Sequence, residues 1–188
     1  MKAIFITGLP GCGKTTLIKK LLEESTKAGK KYLAIISEEI RERGKRKGFD
    51  FKLIDSGKLI TKTILALNKK IAEPGKPSIK FGKYFVFPQN VDEIVDKASE
   101  LIMDKQIIFI DEIGRMEFYS EKFRGFVAQV AKMSDKIMSD KMLSDKMLVA
   151  SLHRAFVNEF KTRGEIFWLS RENFEIVLEK IKKMLEIA

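Results

Sequence analysis

Two clusters of residues have the types and spacing that chemistry on phosphate requires. The first is Gly8-Leu9-Pro10-Gly11-Cys12-Gly13-Lys14-Thr15, which fits the pattern G-x-x-x-x-G-K-[ST] and follows the apolar run Ala3-Ile4-Phe5-Ile6. After a strand and before a helix, that pattern is a phosphate-binding loop. Its glycines let the backbone curl until successive N–H groups point into one hollow, and a helix starting near Lys14 adds its positive N-terminal end. The predicted cradle therefore comprises Gly8, Leu9, Pro10, Gly11, Cys12, Gly13, Lys14, Thr15 and Thr16. Lys14 is expected to reach the β- and γ-phosphates as a point charge. The Thr15 hydroxyl is expected to ligate a Mg²⁺ bridging the same oxygens.

The second cluster is Ile107-Ile108-Phe109-Ile110-Asp111-Glu112, four apolar residues ending in two carboxylates. A buried strand beside the phosphate loop would carry Asp111 to the edge of the sheet, where it can hold Mg²⁺, often through water. Glu112 is then placed to orient and deprotonate an attacking water. Transfer of a phosphoryl group also needs positive charge on its oxygens; Arg115, Arg43 and Arg46 are the candidates, and one well-placed arginine is worth about 10³ to 10⁵ in rate. Ser151 is a candidate sensor of the γ-phosphate at the end of a neighbouring strand, whereas His153, the only histidine, reads as a surface loop residue. In doubly wound nucleotide folds the loop after the last strand lies near the base, so Asn173 is a candidate base contact, with helix capping as its alternative role.

These residues need a frame, and the hydrophobic pattern supplies one. Leu17, Ile18, Leu21 and Leu22 predict a helix from the loop to about Lys27, ended by Gly29. The run Tyr32 to Ile36 reads as a buried parallel strand. It leads through Ser37-Glu38-Glu39-Ile40 into the basic run Arg41 to Lys47, predicted to be either a solvated loop or one facing phosphate. From Gly48 to Phe87 the pattern turns to short strands: Phe49 to Ile54, a turn at Asp55-Ser56-Gly57-Lys58, Leu59 to Leu67, and Lys83 to Phe87 after the Pro/Gly segment Glu73 to Pro77. This predicts an antiparallel β-insert over residues 48–87. A helix over Val91 to Asp104 capped by Asn90 precedes the Asp111 strand, and a helix from Ser120 to about Met133 follows it.

Residues 134–148 are three near copies of five residues, beginning at Ser134, Ser139 and Ser144. A period of five turns about 140° per copy on an α-helix, so the Met/Leu pairs cannot share one face. The repeat is expected to lengthen a surface helix or loop and to carry no chemistry, with only its last copy entering the sheet as Met147 to Leu152. A short helix ending near Arg163-Gly164, a strand Glu165 to Leu169 and a helix Arg171 to Leu185 capped by Ser170 complete the frame. Trp168, flanked by apolar residues, is predicted to be core.

The chain of 188 residues suits one α/β domain, 1–188, with a mostly parallel central sheet flanked by helices. No apolar run approaches the ~20 residues that span a bilayer, and a lone Cys12 agrees with a reducing compartment, so a cytoplasmic protein without a membrane partner is expected. The 36 Lys+Arg against 26 Asp+Glu give +10, which suits polyanions: nucleotides first, nucleic acid also. No RNP-type or zinc-finger pattern supports nucleic acid. Asn68-Lys69-Lys70-Ile71 lacks the aspartate of a guanine-reading motif.

Together these segments resemble the small cancer-related nucleoside-triphosphatases of the P-loop class, also found in thermophiles. The resemblance runs through Gly8 to Thr16, Ser37-Glu38-Glu39-Ile40-Arg41, Gly48-Phe49-Asp50, Gly82-Lys83-Tyr84, Asp111-Glu112-Ile113-Gly114-Arg115-Met116-Glu117 and Ser170-Arg171-Glu172-Asn173. It implies a P-loop NTPase fold and Mg²⁺-dependent hydrolysis of ATP, GTP, CTP and UTP to diphosphates with little preference among bases. The pentapeptide repeat and the arginine-free segment Lys58 to Lys70 depart from the family pattern. The alternatives are a nucleotide or polynucleotide kinase with the basic run as its lid, and a nucleotide-regulated RNA- or DNA-binding protein.

Overall fold

Alternation in the apolar runs decides the architecture. In β1 (Ala3–Gly8) every residue is buried: Ala3 and Phe5 pack into one cluster, Ile4 and Ile6 into another, so the strand is covered on both faces. The computed structural model describes residues 3–72, 77–132 and 146–187. Among them β1 is followed by α1 (Lys14–Lys27), then β2 (Tyr32–Glu42), β3 (Lys45–Asp55), β4 (Lys58–Asn68), β5 (Ile79–Phe81), β6 (Tyr84–Val86) and α2 (Pro88–Leu101). Next come β7 (Ile107–Ile113), α3 (Glu121–Lys132), β8 (Met147–Leu152), the short α4 (Val157–Phe160), β9 (Gly164–Leu169) and α5 (Phe174–Leu185).

The strands form one sheet in the order β5-β6-β4-β3-β2-β7-β8-β1-β9. The pairs β2–β7, β7–β8, β8–β1 and β1–β9 are parallel; β3, β4, β6 and β5 extend the sheet antiparallel from β2. The fold class is therefore the expected one, a parallel core with an antiparallel insert. One face carries α2, α3 and α4 through Val91, Ile94, Phe123, Val127 and Phe160, and the other carries α1 and α5 through Leu17, Leu21, Leu178 and Ile181. No helix among the described residues is long and apolar enough to cross a membrane.

Several expectations need correction. The insert begins earlier than Gly48: β2 continues to Glu42 and returns as β3 from Lys45, so the basic run is a hairpin instead of a loop. Arg43 and Gly44 both have positive φ (46° and 75°), which gives the tip the twist that a two-residue hairpin needs. The helix expected from Val91 starts at Pro88, and Asn90 does not cap it. The Asn90 amide donates instead to the Ile64 carbonyl at 2.7 Å, tying α2 to β4. The last helix begins at Phe174, not Arg171, after Ser170 and Asn173 have exchanged hydrogen bonds. Trp168 is 58% exposed, and β9 is an edge strand.

Copies one and two of the pentapeptide repeat and Ser144-Asp145 of the third lie outside the described residues. The remainder of the third behaves as expected, with Met147 and Leu148 in β8. Its Lys146 is buried and donates to the carbonyls of Ile102, Met103 and Lys105 at 3.0, 2.6 and 2.7 Å, capping the turn that ends α2. Those three bonds satisfy an ammonium that burial would otherwise penalise.

Candidate active site

The site lies at the C-terminal edge of the parallel strands, where β1 and β7 end on either side of β8. Two glycines allow the loop after β1 to take its shape. A Cβ on Gly8 would meet the Leu169 carbonyl oxygen at 2.4 Å, and Gly13, at φ 105°, has the Phe174 ring 3.2 Å from the same point. Gly13 precedes α1 without any side-chain cap, and no acidic residue occupies the first turn of that helix. The N–H groups at the start of α1 are thus left for an external anion. Lys14 folds back over the loop, its Nζ 3.5 Å from the carbonyls of Gly8 and Leu9.

Opposite the loop stand the carboxylates of β7. Asp111 is buried; one oxygen accepts a hydrogen bond from Ser151 Oγ, and the other, Oδ2, has no hydrogen-bond partner within bonding distance among the described residues. Ser37 Oγ donates to the Asp111 carbonyl at 3.0 Å, which fixes the end of β7 against β2. Burial pushes the Asp111 pKa up, opposed by the Ser151 and Thr15 hydroxyls and by Lys14. Burial likewise raises Glu112, Lys14 opposing and Asp111 adding to the rise. A carboxylate oxygen buried without a partner, near a threonine hydroxyl at a phosphate loop, suits a small hard cation that takes its other ligands from phosphate and water. Among the described residues no three His, Cys, Asp or Glu side chains form a metal cage by themselves, so any such ion depends on the substrate for ligands.

Loop and carboxylates line one cleft of about 560 Å³. From the sequence candidates it gathers Gly8, Pro10, Gly11, Gly13, Lys14, Thr15, Thr16, Asp111, Glu112, Arg115 and Arg46, and His153 as well. His153 is a half-buried loop residue, as expected, and it also lines the cleft. Burial, then the charges of Arg115, Lys14 and Arg154, hold its pKa down, and its Nδ1 accepts from the Ala155 N–H at 3.2 Å. Leu9, Cys12, Arg43, Ser151 and Asn173 are not among the lining residues. Ser151 is committed to Asp111, and Asn173 is engaged by its own turn: its amide donates to the Trp168 carbonyl and its Oδ1 accepts from the Ser170 N–H.

Arg46 is held by Glu39 and lies over the Phe49 ring, 5.2 Å from its centroid. Arg115 and Arg154 line the cleft with no ion pair among the described residues. Sequence reasoning singled out Arg115 and missed Arg154, which carries no motif of its own and enters the cleft through the turn after β8. It also gave no role to Glu117, a cleft residue whose only signal was its place at the end of the Asp111-to-Glu117 segment.

The chain is similar to known proteins over nearly its whole length. The model of a family described as NTPase matches residues 3–182. The chain is 43% identical over 179 residues to the nucleoside-triphosphatase THEP1 of Methanocaldococcus jannaschii, covering 95% of this chain and 94% of that protein. It is 35% identical over 188 residues to the protein of the same name from Thermococcus kodakarensis, covering 97% and 96%. Its structure is similar to the solution structure of a human cancer-related nucleoside triphosphatase, with a TM-score of 0.72, 27% identity, and coverage of 99% of this chain and 98% of that one.

Proposed function

The chain belongs to the NTPase family of nucleoside-triphosphatases, and on that premise we propose that it hydrolyses ATP, GTP, CTP and UTP to diphosphate and phosphate with Mg²⁺ and little regard for the base. The observation that carries the reading is the single cleft in which the uncapped start of α1 faces Asp111 and Glu112. In this account the Gly8 to Thr16 backbone and Lys14 hold the β- and γ-phosphates. Thr15 and the partnerless Oδ2 of Asp111 would hold Mg²⁺, whose contribution there is to neutralise the phosphate oxygens.

Glu112 takes a proton from water as the water oxygen bonds to the γ-phosphorus. The bond from that phosphorus to the β–γ bridging oxygen breaks, and its electron pair leaves with the diphosphate. Arg115, which like Arg154 lines the cleft with no ion pair among the described residues, is the side chain assigned here to meet the charge on the transferring group. Tolerance of the base is supported by how little of the cleft is shaped to read one: Asn173, the candidate base contact, already spends its amide on Trp168 and Ser170.

The test is phosphate release from the four triphosphates with Mg²⁺ and with EDTA. Comparable release from all four, abolished by EDTA, is expected. Release from one base alone, or only with an added acceptor that becomes labelled, would replace this reading.

A further inference from the structure

Glu117 lines the cleft, yet the reaction above gives it no role. After β7 the chain turns at Gly114, and a 3-10 turn over Glu117–Tyr119 brings Glu117 back beside the strand; the Phe118 N–H donates to the Gly114 carbonyl at 3.1 Å. Glu117 is only 2% exposed, and no cation pairs with it among the described residues. A Cβ added to Gly114 would lie 2.5 Å from Glu117 Oε2 and 3.1 Å from Glu112 Oε1. The two carboxyl groups therefore flank the space that the missing side chain leaves, and the glycine is what keeps that space open to both.

Burial pushes the Glu117 pKa up to about 8, with Glu112 and Asp111 adding to the rise and hydrogen bonds with its own backbone N–H and with Ser37 opposing it. A carboxyl that keeps its proton can lie close to a carboxylate without repulsion. We infer that Glu117 is a positioning residue: packed beside Glu112 over Gly114, it holds the Glu112 carboxylate in the orientation from which it takes the proton of the attacking water. Glu117 itself gives up no proton in that step. The inference rests on the assignment of Glu112 as the base.

The experiment is steady-state phosphate release from ATP and Mg²⁺, with binding of a non-hydrolysable triphosphate analogue, for Glu117→Gln, Glu117→Leu, Gly114→Ala and Glu112→Gln. Misplacing a reacting group by about 1 Å can cost on the order of 10²-fold. Glu117→Leu and Gly114→Ala are accordingly expected to lower kcat about 10- to 100-fold while KM and analogue affinity stay within about twofold. Glu117→Gln keeps shape, neutrality and a donor, so its kcat is expected within about threefold of the parent protein. Gly114→Ala combined with Glu117→Leu is expected to cost less than the product of the two single losses, since both disturb one contact.

Full kcat in Glu117→Leu, or a loss in Glu117→Gln as deep as in Glu117→Leu, would overturn the inference. Should Glu117→Leu not fold, Gly114→Ala carries the test, and full kcat there overturns it equally. Full kcat in Glu112→Gln would instead remove the base on which the inference rests. Loss in Glu112→Gln with full kcat in Glu117→Leu and in Gly114→Ala would sink the positioning role alone.

Discussion

The molecule uses the same acidic side chains in two opposite ways. At and just after the end of β7, Asp111 and Glu117 are buried and Glu112 is half-buried; all three are short of cationic partners and pushed upward in pKa, by burial before anything else. In the antiparallel insert Glu38, Glu39 and Glu42 lie nearer the surface and are paired, and the one buried acid among the described residues there, Asp50, is paired with Lys62 at 2.7 Å. Glu38 is lowered by hydrogen bonds from Lys19 and Lys52, and Glu42 by one from Lys47. At Glu39 burial works upward, but hydrogen bonds from Arg46 and Arg41 outweigh it. The difference teaches where the fold accepts instability. A carboxylate without a countercharge costs folding energy but stays available to a proton, a metal ion or a water, whereas a paired one is stable and spent.

Removing the positive half of the site is expected to have a large effect. Lys14→Ala should cut phosphate release by about 10²- to 10³-fold or more, the scale for losing one preorganised donor, with the fold intact by circular dichroism. Retained turnover would mean that the phosphate loop does not hold the reacting phosphates.

Next in size is the cost of Glu117 to stability. Its folded pKa of about 8 lies above the ordinary value of 4.5. Between those two values the folded protein binds more protons than the unfolded chain, so stability falls as pH rises from about 4.5 to about 8 and levels off beyond. The full shift corresponds to at most about 5 kcal/mol at pH 8 and above. Urea unfolding across that range should show Glu117→Gln steepening nothing and flattening the decline. An unchanged slope in Glu117→Gln would put the buried-acid half of the comparison in error.

The paired acids should be far less costly to change. Glu38 has a lowered folded pKa, so its contribution is present above its unfolded value and is lost as pH falls through the folded one. Its partly exposed pairs with Lys19 and Lys52 put Glu38→Gln at about 0–1 kcal/mol near pH 7, shrinking with added salt. A loss of several kcal/mol would show that the insert depends on its charges as the core depends on its packing. Smallest of all, Trp168→Ser on the edge strand β9 should change stability by no more than about 0.5 kcal/mol by thermal unfolding.

The same contrast separates what the sequence could disclose from what it could not. The phosphate loop was legible because its glycines are demanded by local backbone geometry within eight contiguous residues. The end of β7 was legible because four apolar residues must be buried and the two acids after them must then emerge at the sheet edge. Glu117 was not legible, since its burial depends on a turn folding back beside β7, which no local pattern encodes. The hairpin at Arg43-Gly44 was missed because its tip lacks the Asn-Gly or Asp-Gly that usually marks such turns, although Ser56-Gly57 makes the same positive-φ pair at the next turn, where Asp55 to Lys58 did read as a turn. Trp168 was misplaced because Ile166 to Leu169 has the composition of a doubly covered strand, and only the strand order makes β9 an edge.

The central claim is that the starved carboxylates at the parallel strand ends do the chemistry while the paired ones of the insert do not. It is tested most directly by phosphate release from Glu112→Gln and Glu38→Gln measured side by side with saturating ATP and Mg²⁺. The account predicts a loss of about 10²- to 10⁴-fold in Glu112→Gln, the usual worth of a general base, and a rate in Glu38→Gln within about twofold of the parent protein. Equal rates in the two variants, or a deeper loss in Glu38→Gln, would contradict it.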